Sequence, residues 1–238
     1  MKPIPIIVVT YLREETTLNT LRLLKRHTST PHRIILVDNG SSCIWDKAHP
    51  ELIYKYYAMS ENVGLERARN IGMNHIDKDD EFVIHMDNDI FVPDLKPDWI
   101  QQLLSLMEKY PQYAAIALRP QVLVGVGPIF KTEDEVVENN VVGGVGRLMR
   151  VSAIKQVGGW DEAIRNEGRG TEEWDICGKL RNAGWKVGYA RNLWAYHQFI
   201  DSNWGYPEGM KFGRVLKEAP KDVEFNPVTM EPSLKSNQ

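Results

Sequence analysis

The sequence predicts an α/β domain built on a mostly parallel sheet, flanked by helices. Three observations carry this. Short apolar runs of strand type recur through the first half, at Ile6–Thr10, Arg33–Val37 and Glu81–Ile84, with the near-continuous apolar character of strands buried on both faces. Segments of helical spacing lie between them, so β and α alternate. Two of the runs end in turn signals, Asp38–Ser42 and Asp87–Asp89. A parallel sheet with right-handed crossovers brings such strand C-termini to one rim.

Taken in order, Ile6–Thr10 is a first buried strand, and Leu18, Leu21 and Leu24 recur at helical spacing behind it. Arg33–Val37 is a second strand, closed by Asp38-Asn39-Gly40-Ser41-Ser42. Ile53–Tyr57 is a third, Leu65–His75 is helical, and Glu81–Ile84 leads into the aspartate motif. Trp99, Leu103, Leu106 and Tyr110 mark another helix, followed by the strand Ala114–Ala117. The second half is less regular. Val141–Gly146 is too glycine-rich for an ordinary strand and implies close backbone approach to a ligand, or bulges. A helix runs from about Trp174 to Asn182, with Trp174, Cys177 and Leu180 on one face and Gly184 as its stop. Pro220, Pro227 and Pro232 among polar neighbours predict an extended or disordered tail.

Composition narrows the class. The chain has 238 residues, 42% of them apolar, which suits one domain with an elaborated end. With 29 Lys+Arg against 32 Asp+Glu the net charge is −3, so no overall basic excess points to nucleic acid or an anionic membrane. Cys43 and Cys177 form no spaced framework, which favours a reduced, cytosolic setting. The start lacks the pattern of a signal peptide, and no segment approaches the roughly 20 apolar residues of a membrane span. Any membrane contact is expected to be peripheral.

The stretch His85-Met86-Asp87-Asn88-Asp89-Ile90 is where chemistry is expected. Two carboxylates one residue apart, at the end of a buried strand, face the crevice where α/β sheets bind ligands. Both can reach one hard divalent cation whose other positions hold phosphate oxygens, as a nucleotide-diphosphate substrate requires. The same three residues also favour a plain turn, and the motif by itself leaves both readings open.

Four pieces then fall into one order: Val37–Ser42, Asn62–Gly72, Asp87-Asn88-Asp89, and Val157–Glu162 followed by Thr171-Glu172-Glu173-Trp174-Asp175 and Leu180–Gly184. This pattern resembles the family 2 glycosyltransferases of the GT-A fold, from about residue 5 to residue 197. The resemblance implies a single GT-A type, Rossmann-like domain over 1–200, with a nucleotide-binding half (1–110) and an acceptor and catalytic half (111–200). Residues 201–238 would form a C-terminal extension. The implied activity is metal-dependent transfer of a sugar from a nucleotide diphosphate to an acceptor hydroxyl, with inversion at the anomeric carbon.

The resemblance also implies roles. Asp38 would accept from an N–H of the nucleotide base, with Thr10, Tyr11 and Arg13 lining that pocket, and Arg69 would serve base or phosphate recognition. Asp87 and Asn88 would face the donor. Asp87 and Asp89 would serve ribose and metal, Asp89 being the expected direct ligand, and the ion would be Mn²⁺ or Mg²⁺. Some relatives place a further metal-ligating histidine near His197. The acceptor's base maps onto Glu173, where the family usually has aspartate. Glutamate is one methylene longer, so Glu172 stays open as the alternative. His85, inside the strand, is expected to be structural, while Trp160 and Trp204 are candidates for stacking on sugars. Family habit favours a UDP-sugar donor. The acceptor (glycan, lipid, protein or nucleic acid) is open, with contacts expected from the glycine-rich segment and from Asp201–Gly213.

Two other functions fit parts of this pattern. A sugar nucleotidyltransferase also pairs aspartates with a metal, but it typically begins with a glycine-rich basic loop, and Thr10–Glu15 contains no glycine. A non-catalytic sugar-nucleotide or glycan-binding protein would have no need of Glu173.

Overall fold

The first strand, β1 (Ile4–Thr10), is buried along its whole length because it runs through the middle of a sheet with parallel neighbours on both sides. The structure, a computed structural model, describes residues 2–41, 45, 49–120, 134–164, 171–197, 223–225 and 232–234. After β1 come α1 (Glu14–His27), β2 (His32–Asp38), β3 (Lys55–Ala58), α2 (Leu65–Met73), β4 (Phe82–Asp87), β5 (Ile90–Phe91) and α3 (Trp99–Lys109). The second half supplies β6 (Tyr113–Pro120), β7 (Val136–Glu138), β8 (Arg147–Arg150), α4 (Val151–Gln156), α5 (Thr171–Asn182) and β9 (Lys186–His197). Two short strands, β10 (Val223–Phe225) and β11 (Pro232–Leu234), pair antiparallel with each other.

The main sheet has the order β3-β2-β1-β4-β8-β6-β9-β5, with β7 also on β9. Strands β3, β2, β1 and β4 are mutually parallel, as are β6 and β9. Between these groups β8 runs against both neighbours. Alternation along the strands divides the core in two. Ile6, Val8, Ile84 and Met86 pack with Leu21, Leu24, Trp99 and Leu103 of α1 and α3. Ile7, Val9, Val83 and Met149 face Ala68, Ile154, Ile176, Cys177 and Leu180 of α2, α4 and α5. Helices therefore cover both faces of the sheet, as expected.

Local signals explain the ends of several elements. Asp98 caps α3 by accepting from the backbone N–H of Ile100 (3.0 Å) and Gln101 (3.1 Å). At the other end of α5, Gly184 takes φ +89° while Trp185 N–H reaches back to the carbonyl of Leu180 at 3.0 Å, the left-handed exit expected there.

Three expectations need correcting. Strand β3 begins at Lys55, two residues later than the apolar run, because its register follows β2, with Ile35 opposite Lys55. His197, expected to lie just past a strand, is instead the final residue of β9, opposite Ile90. Trp174 does not share the buried face of α5: it is 58% exposed, whereas Cys177 and Leu180 are fully buried. Trp174 lies about 200° around the helix from Glu172 at 100° per residue, so burying Glu172 turns the indole outward.

Candidate active site

Asp87 is the last residue of β4. Its N–H donates to the carbonyl of Gly144 at 2.8 Å, which draws the glycine-rich segment over the strand end. A Cβ on Gly144 would stand 2.7 Å from Asp87 Oδ2, so only glycine leaves room for this carboxylate. The close backbone approach expected of Val141–Gly146 is thus made against Asp87 itself.

Three buried charges run back from Asp87. Arg69, fully buried on α2, donates to the Met86 carbonyl (3.1 Å) and to Asp87 Oδ1 (2.5 Å). Its Nε lies 3.4 Å from Glu172 Oε1. The same oxygen accepts from Nη2 of Arg147 at 2.6 Å, and Arg147 Nη1 donates to the Val142 carbonyl at 2.9 Å. One continuous chain, Asp87–Arg69–Glu172–Arg147–Val142, therefore links β4, α2, α5, β8 and the glycine-rich segment.

The adjacent glutamates are driven apart by their surroundings. Burial would raise the Glu172 carboxyl, but Arg147 and Arg69 outweigh it and hold the group below the usual carboxylate range. Glu173 is half-buried, and burial, Glu172 and Asp87 push it up to about 7. Glu172 is committed as an anion between guanidiniums, which leaves Glu173 as the member of the pair able to exchange a proton near neutrality.

On the other side of the motif, Asp89 is buried and ion-paired with Arg13 at the start of α1. Asn88 donates to the hydroxyls of Thr10 (3.1 Å) and Thr17 (2.9 Å), and its carbonyl accepts from Thr20 at 2.9 Å. Thr10 and Asn88 thus join β1, α1 and the motif turn to one another, and the half-buried Tyr11 lies beside them in the chain. Asp38 is buried with its oxygens serving its own turn: Oδ1 accepts from Ser41 N–H (2.8 Å) and Oδ2 from the Tyr56 hydroxyl (3.2 Å). Contact with a nucleotide base at Asp38 would require that turn to open. Asn39 joins the turn to the next motif, its Oδ1 accepting from Val63 N–H at 2.9 Å.

His85 is fully buried, with its ring 4.6 Å from that of Trp160, and burial together with Arg69 and Arg147 lowers its pKa well below the ordinary histidine value. The structural role expected for His85 fits this placement. Trp160 is itself 2% exposed, so it packs the core rather than presenting a face to a sugar. Arg67 is exposed and pairs only loosely with Glu162, at 3.7 Å. Asp175 accepts from Asp161 N–H at 2.7 Å and pairs with Lys179. Among the described residues no three His, Cys, Asp or Glu side chains gather into a metal cage of their own. The partly exposed carboxylate of Asp87 offers the oxygen donors that Mn²⁺ or Mg²⁺ takes, whereas Asp89 would have to leave Arg13 to join it. The Gly144 clearance keeps space open at Asp87. The side chain of His197, Cys43, Trp204 and the 201–213 region lie outside the described residues.

The sequence profile described as Glycosyl transferase family 2 matches residues 6–161. The chain belongs to that family. Solved structures similar to this chain include Staphylococcus aureus TarS (14% identity, TM-score 0.65, covering 85% of this chain and 38% of that one). GalNAc-T7, solved with UDP, GalNAc and Mn²⁺, gives 16% identity and TM-score 0.67 over 88% of this chain and 45% of its own. The mannosyltransferase PcManGT of Pyrobaculum calidifontis, solved with GDP-Man and Mn²⁺, gives 16% and 0.64 over 83% and 57%. At these identities the likeness is one of fold, and the chain spans about two fifths to three fifths of the length of those chains. No curated protein matches it. The profile ends at residue 161, before α5, so the family match does not reach the helix that carries Glu172 and Glu173.

Two placements escaped the motif reading, the burial of Arg147 and the exposure of Trp174. Arg147 opens β8 and is fully buried; its one sequence signal is a basic residue directly after a glycine-rich turn, where a strand begins. Trp174 sits beside Glu173 and is exposed, which only the phase of α5 reveals.

Proposed function

We propose that the protein is an inverting, metal-dependent glycosyltransferase that moves a sugar from a nucleoside diphosphate to an acceptor hydroxyl. The observation that carries this reading is the convergence of Asp87, Gly144 and the Glu172–Glu173 pair at one rim of the sheet, tied by Arg69 and Arg147. Asp89 and Asp87 would hold Mn²⁺ or Mg²⁺ against the diphosphate of the donor, with His197 as a further candidate ligand. When bound, the ion supplies charge neutralisation for the departing diphosphate.

In this reading Glu173 accepts the proton of the acceptor hydroxyl. The acceptor oxygen forms its bond to the anomeric carbon as the bond from that carbon to the diphosphate breaks, and the nucleoside diphosphate leaves with the electron pair. Attack opposite the leaving group inverts the centre through an oxocarbenium-like transition state. Glu172 is a positioning residue, since its charge holds Arg69 and Arg147 and keeps Glu173 basic. The UDP, UDP-GlcNAc and GDP-Man bound in the similar structures make UDP- and GDP-sugars the donors to try first.

The test is a pair of variants assayed by UDP or GDP release and by calorimetry. Asp89→Ala should abolish metal-stimulated donor turnover, whereas Glu173→Gln should retain donor binding and lose transfer. A Glu173→Gln protein that transferred sugar at the normal rate would overturn the base assignment.

A further inference from the structure

The sequence marks Trp160 and Trp204 for sugar contact, yet Trp160 is packed inside. The exposed indole is Trp174. Of the other described tryptophans, Trp45, Trp99 and Trp160 are at most 2% exposed, and Trp185 and Trp194 are half-buried. Trp174 and Tyr54 are the two exposed large hydrophobic side chains among the described residues, and Trp174 alone of them stands at the rim.

Its place in α5 is informative. Glu172, Ile176, Cys177 and Leu180 point inward, and Cys177 contacts the Val142 carbonyl through its Sγ at 3.8 Å. Trp174 precedes Cys177 by three residues, so it lies about 60° around the helix from the residue that touches Val142, and one turn nearer the rim. Helical side chains lean toward the helix N-terminus, which here is the end carrying Glu172 and Glu173. The Cα of Trp174 is about 3.8 Å from that of Glu173. One turn further along, Gly178 has open space where a Cβ would be, so no side chain rises beside the ring from that position. An indole left in water at the helix end that carries the proton acceptor, with no side chain at Gly178 to cover it, is shaped to receive a flat, half-apolar ring.

We infer that Trp174 is the floor of an acceptor subsite and that the acceptor is a glycan, its pyranose ring lying on the indole with a hydroxyl directed toward Glu173. This rests on the base assignment above for the direction of the hydroxyl, but not for the stacking. A ring seated on Trp174 places its edge hydroxyls, rather than its apolar face, at the adjacent carboxylate, so the platform also selects which hydroxyl reacts. A lipid chain or an extended peptide offers no such rigid face.

The experiment measures saccharide binding separately from donor binding. Cellobiose, chitobiose and maltose, with the acyclic polyol sorbitol as control, are titrated by calorimetry into the wild-type protein and into Trp174→Ala and Trp174→Phe, with and without UDP and Mn²⁺. At least one disaccharide should bind the wild type and sorbitol should not. Trp174→Ala should weaken that binding about tenfold, the scale of one lost aromatic contact, and Trp174→Phe should restore part of it. UDP affinity should be the same in all three proteins. Equal saccharide binding by wild type and Trp174→Ala, or no binding of any disaccharide by the wild type, would overturn the subsite. Failure of UDP with Mn²⁺ to bind the wild type would instead sink the donor reading, and the saccharide titration would still report on Trp174.

Discussion

Glu172 Oε1 accepts a hydrogen bond from Arg147 Nη2 at 2.6 Å, with the glutamate side chain 2% exposed and the arginine side chain fully buried. The pair joins the helix bearing the proposed base to the strand that follows the glycine-rich segment. A buried pair of this kind is costly to break from one side, because the remaining charge stays in the interior.

Arg147→Met and Glu172→Leu should therefore each destabilise the protein by roughly 3–5 kcal/mol. The double variant Arg147→Met/Glu172→Leu should recover much of that loss, because no uncompensated charge is left at this pair. Urea unfolding of the three proteins checks both statements. Transfer should stay impaired in the double variant even where its fold is regained, since Glu173 would have lost its neighbour.

Glu173 also sets an expected pH response. Its carboxyl is raised to about 7 by burial, Glu172 and Asp87. A base must be ionised to act, so kcat/KM should fall as pH drops below about 7. Removing the neighbouring charge in Glu172→Gln should move that acidic limb to lower pH. The stability effect has the opposite sense. The folded carboxyl holds its proton more tightly than the unfolded one, so this group's contribution to stability declines as pH rises from the ordinary glutamate range toward 7. Melting curves of wild type and Glu173→Gln across that window should diverge accordingly.

Gly144→Ala tests the close approach to Asp87. The new methyl would stand 2.7 Å from Asp87 Oδ2, and the carboxylate would have to turn away. The expected result is a protein that folds yet binds Mn²⁺ with UDP at least about tenfold more weakly, a loss of roughly 1.4 kcal/mol, by calorimetry.

Gly178→Ala makes a contrasting case. It lies within α5, and nothing lies within 4 Å of where its Cβ would sit. Replacing glycine in a helix interior should stabilise by roughly 0.5–1 kcal/mol. Thermal melts with donor affinity as a control would show it.

Much of the sheet was legible in the sequence because its strands are buried on both faces, and continuous apolar runs such as Ile6–Val9 have no other common explanation. The motif turns at the strand ends were legible as well, and the structure gives several of their residues a local job. Asn39 and Asn62 bond each other's loops, and Thr10 and Asn88 bond each other. The second half was harder to read. Trp174, Cys177 and Leu180 have helical spacing, yet the inward pull of Glu172 toward two arginines rotates the indole out of the core. An ionic partner on a distant strand, Arg147, decides that phase, and no local pattern announces it.

The reversed direction of β8 has one more consequence. In a parallel sheet, only residues at strand C-termini reach the rim where ligands gather, and everything that begins a strand is left at the far end. Running one strand backwards delivers its opening residue, Arg147, to that rim, and the chain then descends to α4 at the far end. The antiparallel insert is thus the seam where the first group of parallel strands meets the second, and a single guanidinium stitches it shut.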